Sequence, residues 1–123
     1  MAYHVDRLFA AVSVMVTHGP VKQRLIKAYE DHLDAVEEDE LPEEIRDSMS
    51  ELHRRMYGVA PTNGEGRICA SVRKMSKDEA DYCARLIVTM YGVTARHSDE
   101  KDAQLADQVG DSGYVPPFLV KSG

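Results

Sequence analysis

Five histidines, two cysteines and a dense run of carboxylates are the residues of this chain whose chemistry could serve catalysis or metal binding. The histidines stand at 4, 18, 32, 53 and 97, and none belongs to a His-x-x-x-His, His-Glu-x-x-His or Glu-x-x-His pattern. Those are the spacings that set two ligands on one helix face. Cys69 and Cys83 form no Cys-x-x-Cys pair, and they read as two reduced thiols in or near the core. His32 and His53 fall on or beside the apolar stripes of two consecutive helices and could meet, and a cysteine beside either would supply an activated nucleophile. Nothing in the sequence selects that arrangement. The expectation is no catalytic residue, no metal and no cofactor. The carboxylates Glu37, Glu38, Asp39, Glu40, Glu43 and Glu44 lack the alternating ligands and central glycine of a calcium loop, and read as a solvated corner.

The cations gather in two places. Lys22, Arg24 and Lys27 follow the turn His18-Gly19-Pro20, while Arg67, Arg73, Lys74 and Lys77 follow a Gly-rich stretch with no acid between 66 and 77. A helix start with free N–H groups beside such side chains can hold a phosphate or carboxylate, so these seven are candidate anion-binding positions. Neither stretch has the spacing of a Walker loop or a dinucleotide fingerprint, and Pro20 removes one donor. A plain corner between helices is the favoured reading. One oddity stands out: the helix beginning at Pro20 carries its cations first and its carboxylates last, against the helix dipole and at a cost of about 1 kcal/mol.

The elements that must position these residues are helical throughout. Residues 5–17 place Val5, Leu8, Val12 and Met15 at helical spacing, with Phe9, Ala11 and Val16 widening the stripe until most sides are apolar, as expected of a central helix. A second helix runs from Pro20 to near Glu38 on Val21, Leu25, Tyr29, Leu33 and Val36, and a third from Pro42 to Tyr57 on Ile45, Met49, Leu52 and Met56. A short helix over 67–75 carries Ile68, Cys69, Val72 and Met75. The capping-box pattern Ser76-Lys77-Asp78-Glu79 announces a last helix over 77–97, with Ala80, Cys83, Ile87, Met90 and Thr94 in one row. Gly92 is expected to bend or end it. No alternating pattern suggests a strand. The predicted fold is all-α, an antiparallel bundle of four to five helices over 1–97, with an acidic tail over 98–123 that is disordered or a frayed helix over 99–109.

At 123 residues the chain suffices for one hydrophobic core. Its longest apolar run, 8–16, is too short to span a bilayer. With neither a leader pattern at the start nor a cysteine framework, a cytoplasmic setting is expected. The net charge of −6 makes nucleic acid an unlikely partner, but the sign alternates in blocks: positive over 1–29, strongly negative over 30–51, positive over 52–77 and weakly negative beyond. The tail ends in Tyr114, Val115, Pro116, Pro117, Phe118, Leu119 and Val120, too apolar for an idle terminus and held extended by its prolines. It is a candidate partner-binding segment, free to cover its own bundle or to dock elsewhere. The expected function is a regulatory or interaction module binding a protein partner or forming a homo-oligomer. The alternative is an anion, nucleotide or nucleic-acid binder acting through 22–27 and 67–77.

Overall fold

A computed structural model describes residues 3–62 and 64–109, with side chains over 4–62 and 64–97. Among these residues five α-helices, α1 (Tyr3–Met15), α2 (Val21–Ala28), α3 (Glu43–Met56), α4 (Arg67–Lys74) and α5 (Lys77–Val109), form an antiparallel all-α bundle. There is no strand among the described residues. The core is made by the rows read from the sequence: Leu8 and Met15, Leu25, Tyr29 and Leu33, Ile45 through Met56, Ile68 and Val72, and the complete α5 row Ala80, Cys83, Ile87, Met90 and Thr94 are all buried.

α5 is the common support, since α1, α2 and α3 all pack against it. Both α1 and α3 run antiparallel to it. Phe9 meets Tyr91, with ring centroids 5.8 Å apart, while Glu44 at the start of α3 pairs with His97 at 2.8 Å and Glu51 further along meets Tyr82 at 3.0 Å. At 33 residues α5 is about 50 Å long, and its residues 98–109 run about 18 Å past the starts of its two antiparallel neighbours.

Two helix boundaries and the burial of α1 differ from expectation. The second helix closes at Leu33 rather than near Glu38, its last turn widened into a π turn over Tyr29–Leu33 in which Asp34 N–H bonds to Tyr29 O at 2.8 Å. Carboxylates are disfavoured at the negative end of a helix dipole. The acidic stretch accordingly leaves the helix and restarts as a 3₁₀ turn over Glu38–Glu40, where Glu37 and Glu40 form a reciprocal capping box. The last helix passes through Gly92 without ending and continues to Val109, beyond the expected stop at 97; over 99–109 the helical one of the two expectations holds for the backbone. Finally, α1 is not the enclosed central helix: Phe9 is 55% exposed and Val16 76% exposed.

Two glycines give opposite tests of this backbone. Gly19 adopts φ +111° in the α1–α2 turn, a region L side chains avoid, whereas a Cβ on helical Gly92 would meet nothing closer than the Arg96 guanidinium, at 3.7 Å. Gly92→Ala should therefore raise stability by about 0.5–1 kcal/mol and Gly19→Ala should lower it by about 1 kcal/mol or more. Thermal or urea unfolding of the two variants checks both, and a destabilising Gly92→Ala would contradict a helix that is continuous at that position.

Candidate interaction surface

The structure explains the reversed charge order of α2. Arg24 reaches back to the end of α1, donating from Nε to Gly19 O at 2.8 Å and from Nη1 to Met15 O. Lys22 Nζ crosses to the end of α4, donating to Arg73 O at 3.2 Å and to Met75 O. Both heads thus sit at carbonyl ends of neighbouring helices, where a cation is favoured. The oddity is a pair of tertiary helix caps.

The other candidate cations are dispersed. Lys27 pairs with Asp31 at 3.2 Å, Arg67 donates to Tyr57 O at 3.0 Å, Arg73 forks onto the Glu65 carboxylate, and Lys77 pairs with Asp81 at 3.3 Å. Lys74 lines a cleft of about 280 Å³ beside Arg54, Arg55 and Ser71. The fold brings Lys22 to the backbone of 73–75, and Arg24 and Lys77 to one groove. Lys27 and Arg67 have their bonded partners elsewhere, Asp31 and Tyr57. The six tail residues Tyr114, Val115, Pro116, Pro117, Phe118 and Leu119 lie outside the described residues.

His53 does not pair with His32. It sits between the Tyr29 hydroxyl at Nδ1 and Val36 O, 3.1 Å from Nε2. A carbonyl only accepts, so Nε2 carries the proton and Nδ1 accepts from Tyr29. Burial above all, then the neighbouring Asp34 and Tyr57, pushes the Tyr29 hydroxyl well above its ordinary pKa, which keeps it a donor. Tyr57 in turn donates to Asp34, and its ring lies edge-on to Tyr29. This cluster joins the π turn to α3 through satisfied hydrogen bonds. Burial also pushes the Cys83 thiol up to about 11, which removes the thiolate that nucleophilic chemistry needs. Among the described residues, no three His, Cys, Asp or Glu side chains come together as metal ligands.

Arg55 ties α3 to α5. Its guanidinium bonds Glu51 at 3.0 Å and Glu79 at 2.7 Å, and lies 4.8 Å from the Tyr82 ring centroid. Ser76 Oγ accepts from Glu79 N–H at 3.0 Å as the capping box requires. The expected reciprocal bond gives way to the tertiary one, because the Glu79 carboxylate is drawn to Arg55.

The feature left over is apolar. Of the five large hydrophobic side chains exposed among the described residues, Phe9 lies on α1, Val16 just after it and Val88 on α5; Tyr82, also on α5, is engaged by Arg55 and Glu51 of α3. Phe9 rests on Tyr91. Val16 and Val88 face a groove of about 490 Å³ with Met15, Pro20, Val21 and Ala84, and Arg24, Lys77, Asp81 and Arg85 edge it. The groove lies where the end of α1 and the start of α2 meet α5, and the Phe9–Tyr91 pair lies further along the same α1–α5 contact. The sequence held one signal of it, an α1 stripe too wide for its neighbours to cover. Val88, outside the buried α5 row, carried none.

Compared with known proteins, the chain matches no family model, no curated sequence and no solved structure. No described helix is long and apolar enough to cross a membrane.

Hydrogen bonds from Tyr82 and Arg55 hold the Glu51 carboxyl below its ordinary value of 4.5. A carboxyl depressed on folding adds stability above its unfolded pKa, and that contribution is lost as pH falls through the folded value. Glu51→Gln should therefore be less stable than the parent at neutral pH, with the gap closing under acid. A gap that is constant across an acid titration of urea stability would contradict the α3–α5 network.

Proposed function

We propose that this chain is a non-catalytic helical module that docks protein, either another copy of itself or a different partner, through the α1–α5 seam. The observation that carries the reading is the placement of Phe9, Val16 and Val88 along one seam, with Val16 76% and Val88 51% exposed. Scattered exposed apolar side chains are ordinary on any surface, but Val16 and Val88 lining one groove with a charged edge have the anatomy of an interface. The block-wise charge of the chain would orient such an encounter. A cytoplasmic setting belongs to the same proposal, in keeping with Cys69 and Cys83 as free thiols.

The alternative anion or nucleic-acid surface has less support. Lys22 and Arg24 are committed to helix-end carbonyls, and Arg73, Lys27 and Lys77 to carboxylates. The net charge of −6 opposes phosphate binding as well.

Light scattering on the full chain over a concentration series tests the reading through its self-association branch. Val16→Glu and Val88→Arg place charges on exposed positions and should leave thermal unfolding within about 0.5 kcal/mol of the parent. Each should weaken association by about tenfold or more. Association indifferent to both substitutions, or a chain monomeric at every concentration, would count against it.

A further inference from the structure

Resting on the reading above, we propose that the occupant of the α1–α5 groove is the segment Tyr114–Leu119 of a second copy of this chain, each copy lending its terminal segment to the other's groove. The groove offers an apolar floor, Met15, Val16, Ala84 and Val88, and an edge where Lys77 pairs with Asp81 and Arg24 with helix-end carbonyls, leaving Arg85 as the cation outside these pairings. The segment offers matching chemistry: Tyr114, Val115, Phe118 and Leu119 around two prolines, with Asp111 just before them in a stretch, 98–113, whose charge is predominantly acidic. Proline-bracketed aromatic segments suit open apolar grooves because their extended form loses little entropy on docking.

Chain length decides between a chain's own segment and its neighbour's. α5 carries the backbone away from the groove to Val109, which lies about 32 Å beyond Val88 and about 38 Å beyond Ala84 along the helix. From Val109 to Phe118 the chain spans at most about 30–32 Å when fully extended, before any length is given to reversing direction. Phe118 therefore falls short of the middle of its own groove. A second molecule has no such constraint, and two copies exchanging segments close the assembly as a symmetric pair.

The chain contains no tryptophan, so Phe118→Trp supplies a single reporter within the full-length protein. Its emission should be blue-shifted at high concentration, move to the red on dilution, and stay red at all concentrations when Val88→Arg is added. Added salt should shift the transition to higher concentration, because Asp111 and Arg85 at the groove edge are screened. Mixing Phe118→Ser with Val88→Arg chains should restore association that neither shows alone, since the mixture holds one intact segment and one intact groove. Blue emission independent of concentration would place the segment on its own chain and overturn the inference, as would red emission throughout. Association lost in Val88→Arg but retained in Phe118→Ser would also overturn it while leaving the seam as the docking surface. Association retained in Val88→Arg would remove both.

Discussion

The structure depends on one helix that must serve several neighbours. α5 offers a single buried row, Ala80, Cys83, Ile87, Met90 and Thr94, and α1, α2 and α3 all close on it. Burying that row against three helices removes a large apolar area from water, the dominant favourable contribution to folding. It also sets a limit. Helices arranged around one central rod cover the inner side of each neighbour and leave the outer side to whatever polarity its sequence provides. α2, α3 and α4 have polar outer faces. α1 does not, and Phe9 and Val16 remain in water.

Charge reinforces the same geometry. The bundle's helix ends meet at its corners, and the cations that look misplaced along α2 are well placed in three dimensions, with Arg24 at the end of α1 and Lys22 at the end of α4. Arg55 links α3 to α5 in the same way, by a carboxylate pair and an aromatic face. The buried polar side chains are satisfied throughout the described residues, as expected where unpaired groups would each be costly. Of the seven cations singled out in the sequence, six are directed to carbonyls or carboxylates of the fold itself. Phe9, Val16 and Val88 stay exposed along the seam.

Much of the architecture was legible from periodicity alone, because a 3.6-residue repeat reports directly on which side of a helix is dry. The rows of α3 and α5 were read residue for residue. Helix ends were less legible where charge decided them: the carboxylates after Leu33 stop one helix and start a 3₁₀ turn, a competition between dipole ends that a stripe of apolar residues does not encode. The pairings of Lys22, Arg24 and Glu79 depend on neighbours far away in sequence, and the meeting of His53 with Tyr29 rather than His32 depends on the π turn. The seam lay between these cases. Its α1 half was visible as an over-wide apolar stripe, while its α5 half, Val88, looks in sequence like any isolated surface valine.

The central claim is that the α1–α5 seam is a working contact surface rather than incidental exposure. Methyl and aromatic NMR spectra of the full chain across a range of concentrations test it most directly, because every side chain in question carries its own signal. The account predicts shifts at Phe9, Val16, Ala84, Val88 and Tyr91 and, in the docking segment, at Tyr114, Val115, Phe118 and Leu119, with Leu25, Met49 and Ile87 unmoved. Seam signals that do not change with concentration, or changes spread evenly over the surface, would contradict it.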